Sequence, residues 1–300
     1  VGVAGYRRDR PAAGTGYLRY PAAGGGQLFF TAEGDLWRAP LTGGEARRLT
    51  THPGQETRPA VSPDGAWVAF SASYEGPQEA YIMPAQGGAP KRLSFEGGGV
   101  QMLGWTPQGE VLFSAPAERG PASRRVLVTV HPHTLRRRVL PLADVTEACL
   151  DGSGQRLFFT RMGLTVTGDN VRMYRGGAAS ELWCYDLTES REAGRIPFDA
   201  PLKRPMWHGD RLYVVCDRDG RDNLWSMKAD GSDARQLTFH KDWDLRGASL
   251  GEGRIVYQLG ADLRAFELAT GRDLPLELRL GSDEDQARPR VLRRPLDYLD

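Results

Sequence analysis

Several things are scarce in this sequence, and each scarcity excludes something. Only three of its 300 residues are cysteine (Cys149, Cys184 and Cys216), with no Cys-x-x-Cys pair. Such an odd, scattered set argues against a disulfide framework and a cysteine zinc site, and suits a reducing compartment. No apolar run approaches the roughly 18 residues of a membrane-spanning helix, so no membrane partner is expected. Neither charge sign dominates, because 39 basic and 38 acidic side chains leave a formal charge of +1. A generic polyanion binder needs a clustered basic excess, so no nucleic-acid partner is expected. Residues 1–16 carry arginines in their middle and lack the apolar core of a secretory signal; they read as a flexible leader. A sustained 3.6-residue hydrophobic period is also missing, which argues against helices.

Turn formers are plentiful. Glycine and proline number 37 and 20, about a fifth of the chain against roughly 12% on average. They punctuate a repeat. Asp35-Leu36-Trp37, Glu181-Leu182-Trp183 and Asn223-Leu224-Trp225 share the pattern polar, Leu, Trp. Each follows a short apolar run such as Leu28-Phe29-Phe30 and precedes a segment like Ala46-Arg47-Arg48-Leu49-Thr50 or Ala234-Arg235-Gln236-Leu237-Thr238. Weaker copies centre on Tyr81, Val126 and Leu263, and the intervals between successive centres are 45, 45, 56, 42 and 39 residues. Short strands repeating every 40–50 residues are the signature of a β-propeller.

Each copy holds four strand-like runs, joined by turns such as Ser62-Pro63-Asp64-Gly65, where Pro sets φ at the first corner and Gly accepts positive φ. The expectation is an all-β, six-bladed propeller with four antiparallel strands per blade, over residues 17–280. The blades fall at about 17–50, 57–95, 100–141, 145–197, 203–239 and 245–278. First and last blades each own four runs, so no strand exchange between them is expected. The ring would then close by face-to-face apolar packing alone, and the terminal blades would separate first. Trp37, Tyr81, Trp183, Tyr185, Trp225 and Phe266 are expected between blades, where a buried large aromatic contributes roughly 2–3 kcal/mol. Residues 281–300, polar and carrying Pro289 and Pro295, read as a linker toward a following domain.

Chemical motifs are few. Gly247-Ala248-Ser249-Leu250-Gly251 matches Gly-x-Ser-x-Gly, but it lies in a strand running into another strand, without the helix a nucleophile elbow requires. His131 and His133 flank Pro132 with no acidic or cysteine ligand beside them, so a turn is simpler than a metal site. Asp217–Asp222 resembles half a calcium loop, yet Ser226 stands where the bidentate Glu belongs. No catalytic residue, cofactor or metal is expected in this segment. One stretch stands outside the repeat, the insertion 161–179 between the second and third strands of blade four. It carries Arg161, Arg172, Tyr174 and Arg175, candidates for contact with a peptide or a neighbouring domain, or otherwise a solvated loop.

Gly16-Tyr17-Leu18-Arg19-Tyr20-Pro21, the Asp35-Leu36-Trp37 cluster and Tyr174-Arg175-Gly176-Gly177 leading into Glu181-Leu182-Trp183 resemble the opening propeller of tricorn proteases. The resemblance covers about 17–300. It implies a cytoplasmic serine protease, a hydrolase that assembles as a hexamer and degrades oligopeptides. It further implies a second propeller, a PDZ-like domain and catalytic domains later in the same chain. The first propeller would be non-catalytic and guide peptide substrate or product through its channel. The alternative is an independent TolB-type propeller that binds a protein partner.

One departure bears on peptide binding. The resemblance implies two adjacent arginines on the loop entering blade three, anchoring the peptide carboxylate. Here that loop reads Phe95-Glu96-Gly97-Gly98-Gly99-Val100-Gln101, without a basic residue. Gly and Gln cannot supply an Arg clamp. Either another side chain serves, such as Arg172 or Arg175, or peptide ends are read differently.

Overall fold

The computed structural model describes residues 17–117, 124–163, 171–189 and 191–281. The expected leader 1–16, the middle of the insertion and the expected linker beyond Gly281 lie outside the described residues. The described chain is built of strands, with no helix among the described residues. Blade one is β1 (Arg19–Gly24), β2 (Gln27–Ala32), β3 (Asp35–Pro40) and β4 (Gly44–Arg48). Blade two is β5 (Glu56–Val61), β6 (Trp67–Ala72), β7 (Glu79–Pro84) and β8 (Lys91–Arg92). Blade three is β9 (Gln101–Trp105), β10 (Val111–Pro116), β11 (Arg125–Val130) and β12 (Arg137–Ala143). Blade four is β13 (Ala148–Leu150), β14 (Arg156–Arg161), β15 (Glu181–Asp186) and β16 (Gly194–Arg195). Blade five is β17 (Leu202–His208), β18 (Arg211–Cys216), β19 (Asn223–Met227) and β20 (Arg235–Gln236). Blade six is β21 (Leu245–Gly251), β22 (Arg254–Leu259), β23 (Asp262–Glu267) and β24 (Asp273–Pro275). Within each blade consecutive strands pair antiparallel. The innermost strands β1, β5, β9, β13, β17 and β21 neighbour one another around the ring.

Two-sided burial explains the apolar runs. On β2, Phe29 faces the blade-two side with Leu36 and Phe70, while Leu28 and Phe30 face blade six with Trp37, Val256 and Leu263. The alternation is the pleat of a strand with a neighbour over each face. Six apolar clusters result, one per junction between blades. The repeated aromatics fill them: Trp37 between blades six and one, Tyr81 between one and two, Trp183 and Tyr185 between three and four. Trp225 lies between four and five, and Phe266 between five and six. The Ser62–Gly65 turn forms as its residues dictate, with Gly65 N donating to Ser62 O at 2.9 Å and Gly65 at φ 71°.

Ring closure holds one correction. No strand is exchanged, since each blade is complete in consecutive strands. Packing does not act alone, however. Blade six ends at Pro275, earlier than the expected 278, and the chain crosses to blade one as β25 (Leu278–Leu280). This strand lies parallel to β4, with Leu278 opposite Gly44 and Leu280 opposite Ala46. Gly44 N donates to Glu277 O at 2.8 Å. Leu276, Leu278 and Leu280 pack on the cluster between blades six and one. The physical cause is a run of alternating leucines whose one face is apolar, beginning beside a proline that cannot donate to the blade-six ladder. Two further ties span the seam: Leu18 N to Ala261 O at 3.1 Å, and Gly26 N to Glu252 Oε1 at 2.8 Å.

Candidate functional site: the central channel

The innermost strands share an irregularity that shapes the channel they enclose. The register slips between Arg19 and Ala22 on β1, Thr57 and Ala60 on β5, Lys203 and Met206 on β17, and Arg246 and Ser249 on β21. Each is a bulge, with one extra residue on the inner strand. The extra residues sit at left-handed φ: Tyr20 at 51°, Arg58 at 54°, Arg204 at 51° and Gly247 at 58°. Only Gly247 suits that conformation without strain. The three side chains bear roughly 1–2 kcal/mol each, held there by the surrounding ladder. Bulges re-aim side chains, and here the re-aimed ones line the channel.

The channel has two sections. A wider one of about 350 Å³ runs along the inner strands, past Met102, Trp105, Trp207 and Leu250. A smaller one of about 140 Å³ opens where those strands begin, beside Tyr17, Arg19, Lys203 and Arg246. Both sections are bounded by Tyr20, Arg58, Glu147 and Arg204, so these four residues form the neck between them.

The neck is tightly held. Arg204 N donates to Glu147 Oε2 at 2.6 Å, and Arg204 Nη1 lies 3.5 Å from Glu147 Oε1. Arg204 Nε and Nη2 donate to Ala248 O at 3.0 and 2.8 Å. The Tyr20 ring is flanked by two guanidinium groups, Arg19 at 5.6 Å and Arg58 at 5.3 Å. Arg19 also lies 5.5 Å from the Tyr17 ring. Lys203 donates to both Asp222 oxygens at 3.0 and 2.8 Å, while burial pushes the Asp222 carboxyl up against the pull of Lys203. The smaller section is therefore lined by five cations and two carboxylates. The field extends beyond it: burial, then the charge of Arg58, push Arg125 down to about 10.

Chemically, the lining offers charge and shape. Among the described residues the lining contains no histidine. Ser249 of the Gly-x-Ser-x-Gly match lies within β21. The Cys149 thiol is driven up, first by burial and then by Asp151, which keeps it protonated. His131 and His133 form a turn, with His131 Nδ1 accepting from His133 N and Thr134 N. Among the described residues no group of three or more ligating side chains could hold a metal. The half calcium loop is a turn, Gly220 N donating to Asp217 O at 3.0 Å.

The insertion residues are placed as follows. Arg172 Nε lies 3.4 Å from Asp244, and Arg175 Nη1 lies 3.0 Å from Asp217, whose other oxygen accepts Met173 N at 2.7 Å. Arg172, Met173 and Arg175 thus lean on blade five and the loop that leads into blade six. Arg161 is apart, stacked 5.0 Å over the Trp183 ring, and the Tyr174 side chain crosses close over Gly176. On the loop 95–101, Glu96 N and Gly97 N donate to Glu79, and Arg137 clamps the Glu96 carboxylate. The neck residues carried no recognised motif. Three of them share one faint mark, a following proline, in Tyr20-Pro21, Arg58-Pro59 and Arg204-Pro205 at one position of three inner strands.

Fold and channel define a six-bladed propeller without strand exchange, pierced by a basic-necked channel. The profile of the tricorn protease N-terminal β-propeller domain matches residues 15–272, and the chain belongs to that family. It is 33% identical over 280 residues to tricorn protease homolog 1 of Streptomyces coelicolor, covering 91% of this chain and 25% of that relative. It is 24% identical over 293 residues to the tricorn protease of Thermoplasma acidophilum, covering 94% of this chain and 27% of that protein. The chain thus spans about a quarter of the length of these relatives. A crystal structure of the tricorn protease superposes with a TM-score of 0.80 at 24% identity, covering 90% of this chain and 27% of that one. TolB from Acinetobacter baumannii superposes at 0.58 with 16% identity, covering 82% of this chain and 60% of that one.

Proposed function

We propose that this chain is the non-catalytic first propeller of a tricorn-like serine protease, and that it guides oligopeptide substrate or product through its channel. The observation that carries the reading is a channel running the length of the inner strands, narrowed by a charged neck, in a member of the tricorn N-terminal propeller family. A free peptide has charged ends and a flexible backbone. A lumen with a mixed, mostly polar wall and a basic constriction is suited to sort such chains by size and charge. Catalysis then belongs to other domains of the parent chain, reached through 281–300 as a linker. By kinship, the parent works in the cytoplasm as a homohexamer.

The test is a plug. In the full-length parent, Ser249→Trp places an indole in the wide section. Turnover of oligopeptides falls several-fold while a small chromogenic ester still reaches the catalytic serine. Unchanged peptide turnover by a folded plugged variant would end the channel reading. The purified 300-residue chain, freed of contaminating peptidases, cleaves nothing.

A second reading, a protein-binding propeller of TolB type, is favoured by exposed Phe95, Phe239 and Trp243, at 73, 69 and 63% accessibility. A parent gene ending near Asp300 would support it over the first.

A further inference from the structure

We propose that β25 is a detachable strap, through which the chain beyond Gly281 controls a lateral opening of the ring. Seated on β4, the strap holds blades six and one together. Drawn off, it lets their inner strands β1 and β21 part and opens the channel along its side. This concerns how the ring opens and stands apart from what passes through the channel.

Four observations carry it. At each of the other five junctions the backbone itself crosses, from the outermost strand of one blade to the innermost strand of the next. Blades six and one are the two ends of that run, and among the described residues the backbone crosses between them at Leu276-Glu277. Leu276 N donates to Leu263 O of blade six at 2.9 Å, and Gly44 N of blade one donates to Glu277 O at 2.8 Å. The crossing also has a built seat. Gly43 lies at φ 89°, and a Cβ there would stand 2.8 Å from Glu277 O, so the strap passes where a side chain would be.

The hold is light. β25 has three residues and pairs along one edge of blade one. Leu276 and Leu278 are partly buried, and Leu280 is the one leucine of the three inside the cluster. Arg279 Nη1 lies 3.6 Å from Glu45 Oε1 with both side chains mostly exposed, a pair that adds little. Blades one and six each keep four strands without β25, so it can leave without unfolding either.

The strap is also where the chain leaves the ring. Because β25 runs parallel to β4, the chain departs at the end where β4 passes into the loop 49–55. The propeller is about a quarter of the length of its relatives, so in a parent of that size the strap tethers whatever follows. Drawing off all three residues takes a shift of about 10 Å, at roughly 3.3 Å per residue. The Leu18 N–Ala261 O and Gly26 N–Glu252 Oε1 bonds and the apolar cluster are then left to hold the seam. β1 and β21 both line the channel, so a parted seam is an opening in its wall.

The experiment staples the strap. Glu45 and Arg279 are register partners with exposed side chains. Paired strands set their Cα atoms within the distance a disulfide spans. Glu45→Cys with Arg279→Cys is made in the 300-residue chain and in its full-length parent. Hydrogen exchange is followed by mass spectrometry, oxidised and after dithiothreitol. In the 300-residue chain, oxidation slows exchange in β1 and β21 at least tenfold, dithiothreitol reverses this, and β10 and β14 stay within twofold. Arg279→Pro speeds exchange in β1 and β21 at least tenfold. In the parent without the staple, these two strands exchange at a rate at least tenfold different from the 300-residue chain, and the oxidised staple removes that difference. Exchange unchanged by the staple, or loosening of all six blades alike in Arg279→Pro, shows that β25 is no detachable strap and overturns the proposal. Equal exchange in parent and 300-residue chain, or a difference that survives the staple, overturns control by the following chain.

Discussion

The side-chain oxygen of Asn223 accepts the backbone N–H of His240 at 2.8 Å, tying the start of a third strand to the loop that leaves its blade. The same 17-residue tie joins Asp35 to His52 at 3.2 Å and Glu79 to Glu96 at 3.1 Å. A companion tie spans 14 residues: Leu36 N to Thr50, Ala80 N to Ser94 and Leu224 N to Thr238, at 2.9, 2.8 and 2.9 Å. In blades one, two and five the polar residue at the start of the third strand therefore anchors the loop that leaves the blade, and the Thr or Ser after Leu is its partner.

That anchor predicts the cost of losing it. Thr238→Val keeps shape and removes a buried hydroxyl that bonds Leu224 N and Asn223 Oδ1. The expected destabilisation is about 1–3 kcal/mol, because buried partners are left unsatisfied. Urea unfolding of the variant against the parent measures it. A change below about 0.5 kcal/mol would show that the repeated tie is geometric rather than energetic.

Glu56 predicts a pH dependence. Its side chain is fully buried, and burial pushes its carboxyl up despite bonds from Thr50, Tyr74 and Leu36 N. A carboxyl that holds its proton more tightly folded than unfolded gives stability that is present below its ordinary value of 4.5 and is lost as pH rises through the raised folded value. Glu56→Gln removes this slope. The stability of the variant relative to the parent therefore increases as pH climbs from 4.5. Unfolding free energies at several pH values test the sign, and a relative stability that declines with pH contradicts it.

Much of this was legible in the sequence, because a propeller repeats local chemistry. Leu28-Phe29-Phe30 announces burial on both faces, and Ser62-Pro63-Asp64-Gly65 announces its turn. The insertion was legible as an interruption of period, but the partners of Arg172 and Arg175, Asp244 and Asp217, come from other blades and left no local mark. The neck was illegible for a different reason. Tyr20, Arg58 and Arg204 hold a conformation that sequence rules reserve for glycine, and the proline that follows each is too common a mark to reveal it until the ladder is seen to slip. The closing strand was missed because it is three residues long and parallel, a pairing that only the ring brings about.

Closure makes a prediction of its own. Leu280 is 8% exposed and belongs to the cluster joining blades six and one. Leu280→Ala costs about 2 kcal/mol, at the low end for a buried leucine because an edge strand can relax. Arg279→Pro removes the N–H that the parallel register directs at Gly44 O and uncouples β25. Hydrogen exchange on these variants reads out where the ring opens. Protection is lost first in β1–β4 and β21–β24, while β10 and β14 keep theirs. Uniform loss across all six blades would mean that the seam is no weaker than any other junction.

The insertion gives the last prediction. Asp217 is fully buried and is the hub for Met173 N and the Arg175 guanidinium, so one carboxylate holds the described end of the insertion. Asp217→Asn keeps the size and one acceptor but removes the charge that faces Arg175. Removing one partner of a pair shielded on the acid side leaves the arginine seeking water. The arm is then expected to lift at Arg172 and Arg175. Limited trypsin digestion, which cuts after arginine, should cleave within 161–179 about tenfold faster in the variant than in the parent. Tm should change by no more than a few degrees, since the blade clusters do not include this arm. Equal cleavage rates would show that the Arg175–Asp217 pair does not hold the insertion, and that its direction is set by the Arg172–Asp244 contact alone.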